Sequence, residues 1–281
     1  MRRRARGVAR ALAPLAAALL AGCAPRLAPP PPRLEGVPVE ARFSARLAER
    51  ATHVAVAEGD YSVWAHRAGG HDPPGVSMRV RLIAPDAFRL RVDALFGTAI
   101  DAAARRDTLV LDAPMFGIAA VSDAGEDRSS RQDVGGWVWR ALSATWSPPA
   151  AAWTRGVAGD STWLLSWIEN GDTLALEVGS SGLPRSARIR AAWGGATIQY
   201  ERWSRWNGIL WPSRVVAADA AGRLSVMLQP SALTLKARDD SAHPPLRIPA
   251  NATRMSREKL LHGIERLALA AGADSSTVEG R

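Results

Sequence analysis

The feature that most constrains this chain is alternation. Val76, Met78, Val80 and Leu82 alternate with Ser77, Arg79 and Arg81, and Phe88, Leu90, Val92 and Ala94 alternate with Arg89, Arg91 and Asp93. A period of two sends every apolar side chain of such a run to one face of a strand and every charged one to the other. The result is a sheet with one wet face and one face that must be covered. Only a few residues around Pro85-Asp86 separate the two runs, too few for a crossover helix, so the strands are antiparallel.

The pattern returns in Trp163, Leu165 and Trp167, in Leu174, Leu176 and Val178, in Ala187, Ile189 and Ala191, and in Ile198 and Tyr200. Leu224, Val226 and Leu228 open another strand, and Leu233 and Leu235 a last one. Asn170-Gly171, Gly194-Gly195, Asn207-Gly208 and Ala221-Gly222 supply residues that tolerate positive φ, as tight hairpins require. About eleven strands are expected between Tyr61 and Lys236.

Helical spacing is sparse by comparison. Phe43, Leu47, Ala51 and Val54 predict a helix over 39–56, with Arg42, Arg46, Glu49 and Arg50 off its apolar stripe. A second helix, weakened at its start by Gly135-Gly136 and stopped by Pro148-Pro149, carries Trp139, Leu142 and Trp146 on one face. A third begins near Ser256, with Leu260, Ile264, Leu267 and Ala271 in line. Three modest helices cannot cover so many apolar strand faces laid flat. Sheets of this size twist and curl, and a curled sheet partly closed by helices encloses a packed core or an apolar cavity.

Ahead of the sheet, residues 1–22 combine Arg2, Arg3, Arg4, Arg6 and Arg10 with an apolar stretch from Gly7 to Leu20, and end in Ala21-Gly22 before Cys23. This is the grammar of a secretory signal, its apolar part shorter than the roughly 20 residues a membrane span needs. Leu20-Ala21-Gly22-Cys23 resembles the lipobox of bacterial lipoproteins, which implies that Cys23 becomes the lipidated first residue of the mature chain, and Ala24 after it implies the outer membrane. Pro25, Pro29, Pro30, Pro31, Pro32 and Pro38 make residues 23–38 an extended tether. The organisation expected is therefore signal peptide 1–22, lipidated Cys and tether 23–38, folded domain 39–250, and C-terminal amphipathic helix and tail 251–281.

Several function classes recede. The net charge of +9 points to nucleic acid only until the five signal arginines are set aside, since taking them from 36 Lys and Arg leaves 31 against 27 Asp and Glu. A balance near +4 is an ordinary surface charge. His53, His66, His71, His243 and His262 are scattered, without metal-ligand spacing, and no metal or other cofactor is expected. Gly179-Ser180-Ser181-Gly182 lacks the spacing of a nucleophile elbow and reads as a turn. No catalytic residues are expected. Eleven Trp against two Tyr and four Phe supply large apolar area, for core filling or for a pocket that receives hydrocarbon.

Three stretches carry a family resemblance: SMRVRLIAPDAFRLRVDALFGTAIDAAARRDTLVLDAP over 77–114, Leu183-Pro184-Arg185 with the strand after it, and IQYERWSRWNGILWPSRV over 198–215. In this order they resemble the LolA/LolB superfamily of periplasmic lipoprotein carriers and outer-membrane receptors, on its LolB side. The resemblance implies an unclosed antiparallel β-barrel of about eleven strands with a helical lid over an acyl-binding cavity. It also implies a protruding apolar contact for membrane or cargo at Phe96, with Leu95 beside it, where the family carries Leu.

The expected lining of the cavity is Phe88, Leu90, Val92, Trp139, Leu142, Trp146, Trp163 and Trp167. The expected protein is a lipoprotein of the outer membrane, facing the periplasm. Its partners would be lipoprotein acyl chains or phospholipid, the outer membrane and a periplasmic carrier of LolA type, with no nucleic acid. A non-catalytic scaffold or stress-sensing lipoprotein with a solidly filled barrel, and an exported hydrolase, are the other readings.

Overall fold

A computed structural model of the chain describes residues 38–68, 75–94, 97–106, 108–122, 134–152, 162–191, 194–237, 246–256 and 259–260. The expected signal peptide, Cys23, almost all of the tether, and Leu95 and Phe96 lie outside the described residues, as do Ile264, Leu267 and Ala271.

The chain opens with helix α1 (Val39–His53), begun after Pro38 with Glu40 in its first turn and ending with Arg50 and His53 in its last, charges that complement the helix dipole. It stops before Val56, three residues short of the expected end, because the chain there turns into β1 (Val56–Arg67). Six strands run as a meander: β1, β2 (Val76–Ile83), β3 (Ala87–Ala94), β4 (Gly97–Arg105), β5 (Thr108–Ala113) and β6 (Ile118–Ser122). Helix α2 (Val134–Ser143) follows, and then a second meander of β7 (Thr162–Glu169), β8 (Asp172–Gly179), β9 (Pro184–Ala191), β10 (Gly194–Trp206), β11 (Ile209–Asp219) and β12 (Leu224–Lys236), with the two-residue β13 (Thr253–Arg254) at the end.

All thirteen strands belong to one sheet in the order β13-β6-β5-β4-β3-β2-β1-β12-β11-β10-β9-β8-β7. The expected class, a mainly β chain with an unclosed antiparallel sheet, is the one observed, and among the described residues the two outermost strands, β13 and β7, do not pair with each other. The count departs from eleven in three ways. Residues 97–122 fold into three strands, β13 adds a short parallel pairing with β6, and the run through Leu224, Val226 and Leu228 continues through Leu233 and Leu235 as a single strand, β12.

That last merger has a physical cause. Pro230 lacks an N–H and is tolerated in a strand only where no ladder bond is needed. Opposite it, the β1–β12 register shifts between Asp60 and Tyr61, so that Asp60 faces Ala232 and Tyr61 faces Pro230. The bulge absorbs the proline without ending the strand.

The hairpin turns behave as the Asn-Gly pairs predict. Asn170 and Gly171 sit at φ +53° and +89°, Asn207 and Gly208 at +49° and +82°. Gly182, at φ +74°, closes the Ser180-Ser181 turn, and a Cβ there would press on the backbone of Arg42 in α1. The Arg42 guanidinium donates to the Ser180 carbonyl at 2.8 Å on the same side. Gly135 plays a different part from the one its helix-weakening composition suggests, since a Cβ on it would overlap the carbonyl of Asp86. The start of α2 therefore lies directly on the β2–β3 connection.

Candidate functional site

Register arranges the apolar face into rows that run across the strands. Ala57, Leu82, Phe88, Ala104 and Leu109 are aligned in one, and Tyr61, Met78, Val92 and Ile100 in another. Side chains from β6 round to β10 meet in one packed cluster with Trp139 and Leu142 of α2, which requires the sheet to curl around it. A second cluster gathers β7 to β11 around Phe43 of α1 and Trp146.

The two described helices thus lie on the same apolar face: α1 packs on the second cluster through Phe43 and Leu47, whereas α2 spans both, with Trp139 and Leu142 in the first and Trp137 and Ala141 against the second. Trp139 meets Trp211 of β11 edge-on at 6.2 Å, and Trp137 meets Trp146 at 5.9 Å. Leu260, the last described residue, is buried in the first cluster, as its place on the C-terminal stripe predicts.

Of the expected lining, Phe88, Trp139 and Leu142 are buried in the first cluster and Leu90 and Val92 are half-buried against it. Trp146 and Trp167 are buried in the second cluster, and Trp163 is half-buried against it. These residues are thus divided between the two apolar clusters. One correction concerns Trp146, which lies three residues beyond the end of α2 rather than on its face. Ala144 takes φ +54° there, turning the chain so that the indole enters the second cluster.

Coverage of the first compartment is uneven. Leu82, Phe88, Ala104 and Leu109 are fully covered, whereas Val92 and Ile100, in the row nearest the end where β3 gives way to β4, are half-buried, as are Leu90 and Ala102 beside them. Strands β3 and β5 are both antiparallel to β4, so the β5–β6 connection emerges at this same end. It carries Met115, 58% exposed, and Phe116, also exposed, in a short 3-10 turn closed by Gly117 at φ +64°.

Polar groups concentrate where the two helices face the second compartment. The Trp146 indole N–H donates to the Tyr200 hydroxyl at 2.7 Å. Burial pushes the Tyr200 phenol well above its ordinary value, an effect that this donated bond and the positive charge of Arg50 only partly oppose. Arg140 of α2 reaches Glu169 of β7 at 2.7 Å while its guanidinium lies 4.3 Å from the Trp137 ring centre.

Arg50, which the apolar stripe leaves on the wet side of α1, is instead 2% exposed, with Ala51 turned outward. The signal is present in the spacing: Phe43, Leu47 and Arg50 fall at steps of four and three, and seven residues are close to two full helical turns. Charge type conceals it. Its guanidinium lies 5.3 Å from the Trp203 ring centre. Desolvation lowers it to about 10, against the raising influence of Tyr200 and Glu49, so it stays charged at neutral pH.

The Ser180-Ser181 pair sits in the β8–β9 turn, as expected. Among the described residues no group of three or more His, Cys, Asp or Glu could hold a metal ion, and no helix is long and apolar enough to cross a membrane.

No protein-family model and no curated protein matches the sequence. Solved structures do match. A LolA superfamily protein from Nitrosomonas europaea aligns over 73% of this chain and 95% of its own at 12% identity, with a TM-score of 0.47. An outer membrane lipoprotein-sorting protein domain from Vibrio parahaemolyticus aligns over 74% and 96% at 10% identity, with a TM-score of 0.48. A DUF1329 family protein from Desulfovibrio piger aligns over 73% and 95% at 10% identity, also at 0.48.

Proposed function

We propose that this chain is a lipoprotein, anchored through Cys23 to the outer membrane, that shelters the acyl chains of lipoproteins or phospholipids against the apolar face of its open sheet and aids their localisation. The observation that carries the reading is the uneven cover of that face. One unclosed sheet presents continuous apolar rows, and two described helices leave Leu90, Val92, Ile100 and Ala102 partly open at one end. Hydrocarbon placed there would be removed from water at about 0.8 kcal/mol per methylene. No bond is made or broken; transfer to the membrane, with Leu95 and Phe96 as contact residues, follows from relative affinity. A periplasmic carrier of LolA type would be the donor.

Packing favours a second reading. Trp146 and Trp211 are completely buried in the interior, and a barrel filled by its own indoles would serve as a non-catalytic scaffold or stress-sensing lipoprotein that binds a protein partner. Titration of the chain from Ala24 onward, which keeps every described element, with a fluorescent fatty acid and a triacylated peptide separates the two. Saturable uptake, displaced by unlabelled ligand, is expected; no uptake would favour the scaffold. For the anchor, Cys23→Ser is expected to move the protein out of the membrane fraction of the cell envelope.

A further inference from the structure

Two arginines lie against tryptophans in the second compartment, and they differ in one respect. Arg140 has a carboxylate, Glu169, at 2.7 Å. Arg50 has none: its Nε, Nη1 and Nη2 are all buried, and none has a hydrogen-bond partner among the described residues. The nearest acid along the helix, Glu49, lies 3.4 Å from Arg46. The Tyr200 hydroxyl accepts from Trp146 and makes no hydrogen bond with the guanidinium.

A buried guanidinium with five N–H donors and no acceptor is costly, and its contact with the Trp203 face meets only the charge, not the directional donors. Such a group is retained in an interior at a disadvantage unless something outside the chain completes it. The donors form a planar fork that matches a carboxylate or a phosphate in two parallel bonds. The surroundings specify the remainder of the ligand. Trp203, Trp137 and Trp163 are half-buried and, with Leu47 of α1, pack against the second cluster, so the same compartment that holds the charge offers apolar area to a chain attached to the anion.

We propose that Arg50 is an anion anchor, pairing with the carboxylate or phosphate at the head of an acyl ligand whose hydrocarbon lies along the tryptophans of the second compartment. The proposal deepens the acyl-binding reading and rests on it. It assigns polarity to the bound molecule: head between α1 and β10, tail toward the exposed edge of the indoles.

The test compares oleate, oleoyl-lysophosphatidylglycerol and the uncharged oleyl alcohol as displacers of a neutral fluorescent acyl probe from the chain beginning at Ala24. Wild type is expected to bind at least one of the anionic lipids roughly tenfold or more tighter than the alcohol, a margin typical of a charge-assisted bidentate pair. Arg50→Met is expected to abolish that preference while leaving alcohol affinity within about twofold, and Arg50→Lys to keep part of it. A preference for oleate identifies a fatty-acid carboxylate and one for the lysolipid a phosphate headgroup; either supports the assignment. Equal affinity for charged and neutral lipids in wild type overturns it with the acyl-binding reading intact, and needs no variant to fold. An unchanged preference in Arg50→Met does the same. Absence of binding by all three lipids overturns both.

Discussion

Trp146 and Tyr200, fifty-four residues apart, join the segment after α2 to strand β10 through a 2.7 Å hydrogen bond in the middle of the second cluster. The Tyr200 hydroxyl in turn points to the carbonyl of Arg140 at 3.5 Å, too long to hold the helix by itself. The indole is thus a fully buried polar link between the segment after α2 and the sheet, beside the more exposed Arg140–Glu169 pair. Trp146→Phe removes the donor and some volume, and leaves a buried hydroxyl poorly satisfied. A loss of roughly 2 kcal/mol is expected, read from the urea midpoint at unchanged m-value. Stability within about 0.5 kcal/mol of wild type would show that the link is dispensable.

Gly135 is expected to be the least replaceable residue of α2. Since a Cβ would collide with the Asp86 carbonyl, Gly135→Ala must push the helix away from the β2–β3 connection despite the better helix propensity of Ala. Overpacking of this kind costs about 1–3 kcal/mol. The companion Gly171→Ala, whose Cβ would meet nothing within 4 Å but whose φ is +89°, tests backbone strain alone. Only the first is expected to alter near-UV circular dichroism, because only it moves Trp139 relative to Trp211.

Asp219 ties the β11–β12 turn. Its carboxylate accepts from the backbone N–H of Arg223 at 2.6 Å and of Leu224 at 3.2 Å, and from the Arg223 guanidinium at 3.2 Å. Burial raises its pKa, but these bonds outweigh that and hold the carboxyl below its ordinary value. A group depressed in the folded state stabilises above its unfolded pKa, near 3.9, and the contribution disappears as pH falls through the folded value. Asp219→Ala is expected to cost about 1 kcal/mol at pH 7. The gap between variant and wild type should close below about pH 4; a gap independent of pH would contradict the ionic account.

Met115 and Phe116 stand exposed at the end of the sheet where Ala94 pairs with Gly97. If that end meets lipid, the double change Met115→Asp and Phe116→Asp removes two apolar side chains from the contact. With about 1.5–3 kcal/mol for each fully inserted side chain, binding of the unlipidated chain to phosphatidylglycerol vesicles is expected to weaken by more than tenfold in a sedimentation assay. The melting temperature should be unchanged, since both residues are outside the core. Equal sedimentation of variant and wild type would rule this end out as the lipid contact.

Much of this architecture follows from residues read one after another. The alternation through Val76–Ile83 and Ala87–Ala94 specifies strands and their inward faces, and Phe88, Leu82 and Val80 are buried as that alternation requires. Asn170-Gly171 and Asn207-Gly208 specify turns because few other residues accept positive φ. These are local properties, complete within a few residues, and the chain carries them whatever its partners.

What joins distant parts was decided only in three dimensions. The pairing of β1 with β12 brings Val56 beside Lys236 and converts two meanders into one sheet, and no periodicity names a partner so far along the chain. The bulge at Asp60 that lets Pro230 remain inside β12 exists only because those two strands meet. Burial of Arg50 likewise belongs to the tertiary structure. Helical spacing allows residue 50 to share the face of Phe43, yet the cost of burying a cation argues against it until Trp203 and Tyr200 arrive from another strand. Short-range sterics and solvation are written into the sequence order, whereas the energy of a contact between remote segments is settled by which surfaces the curled sheet brings together.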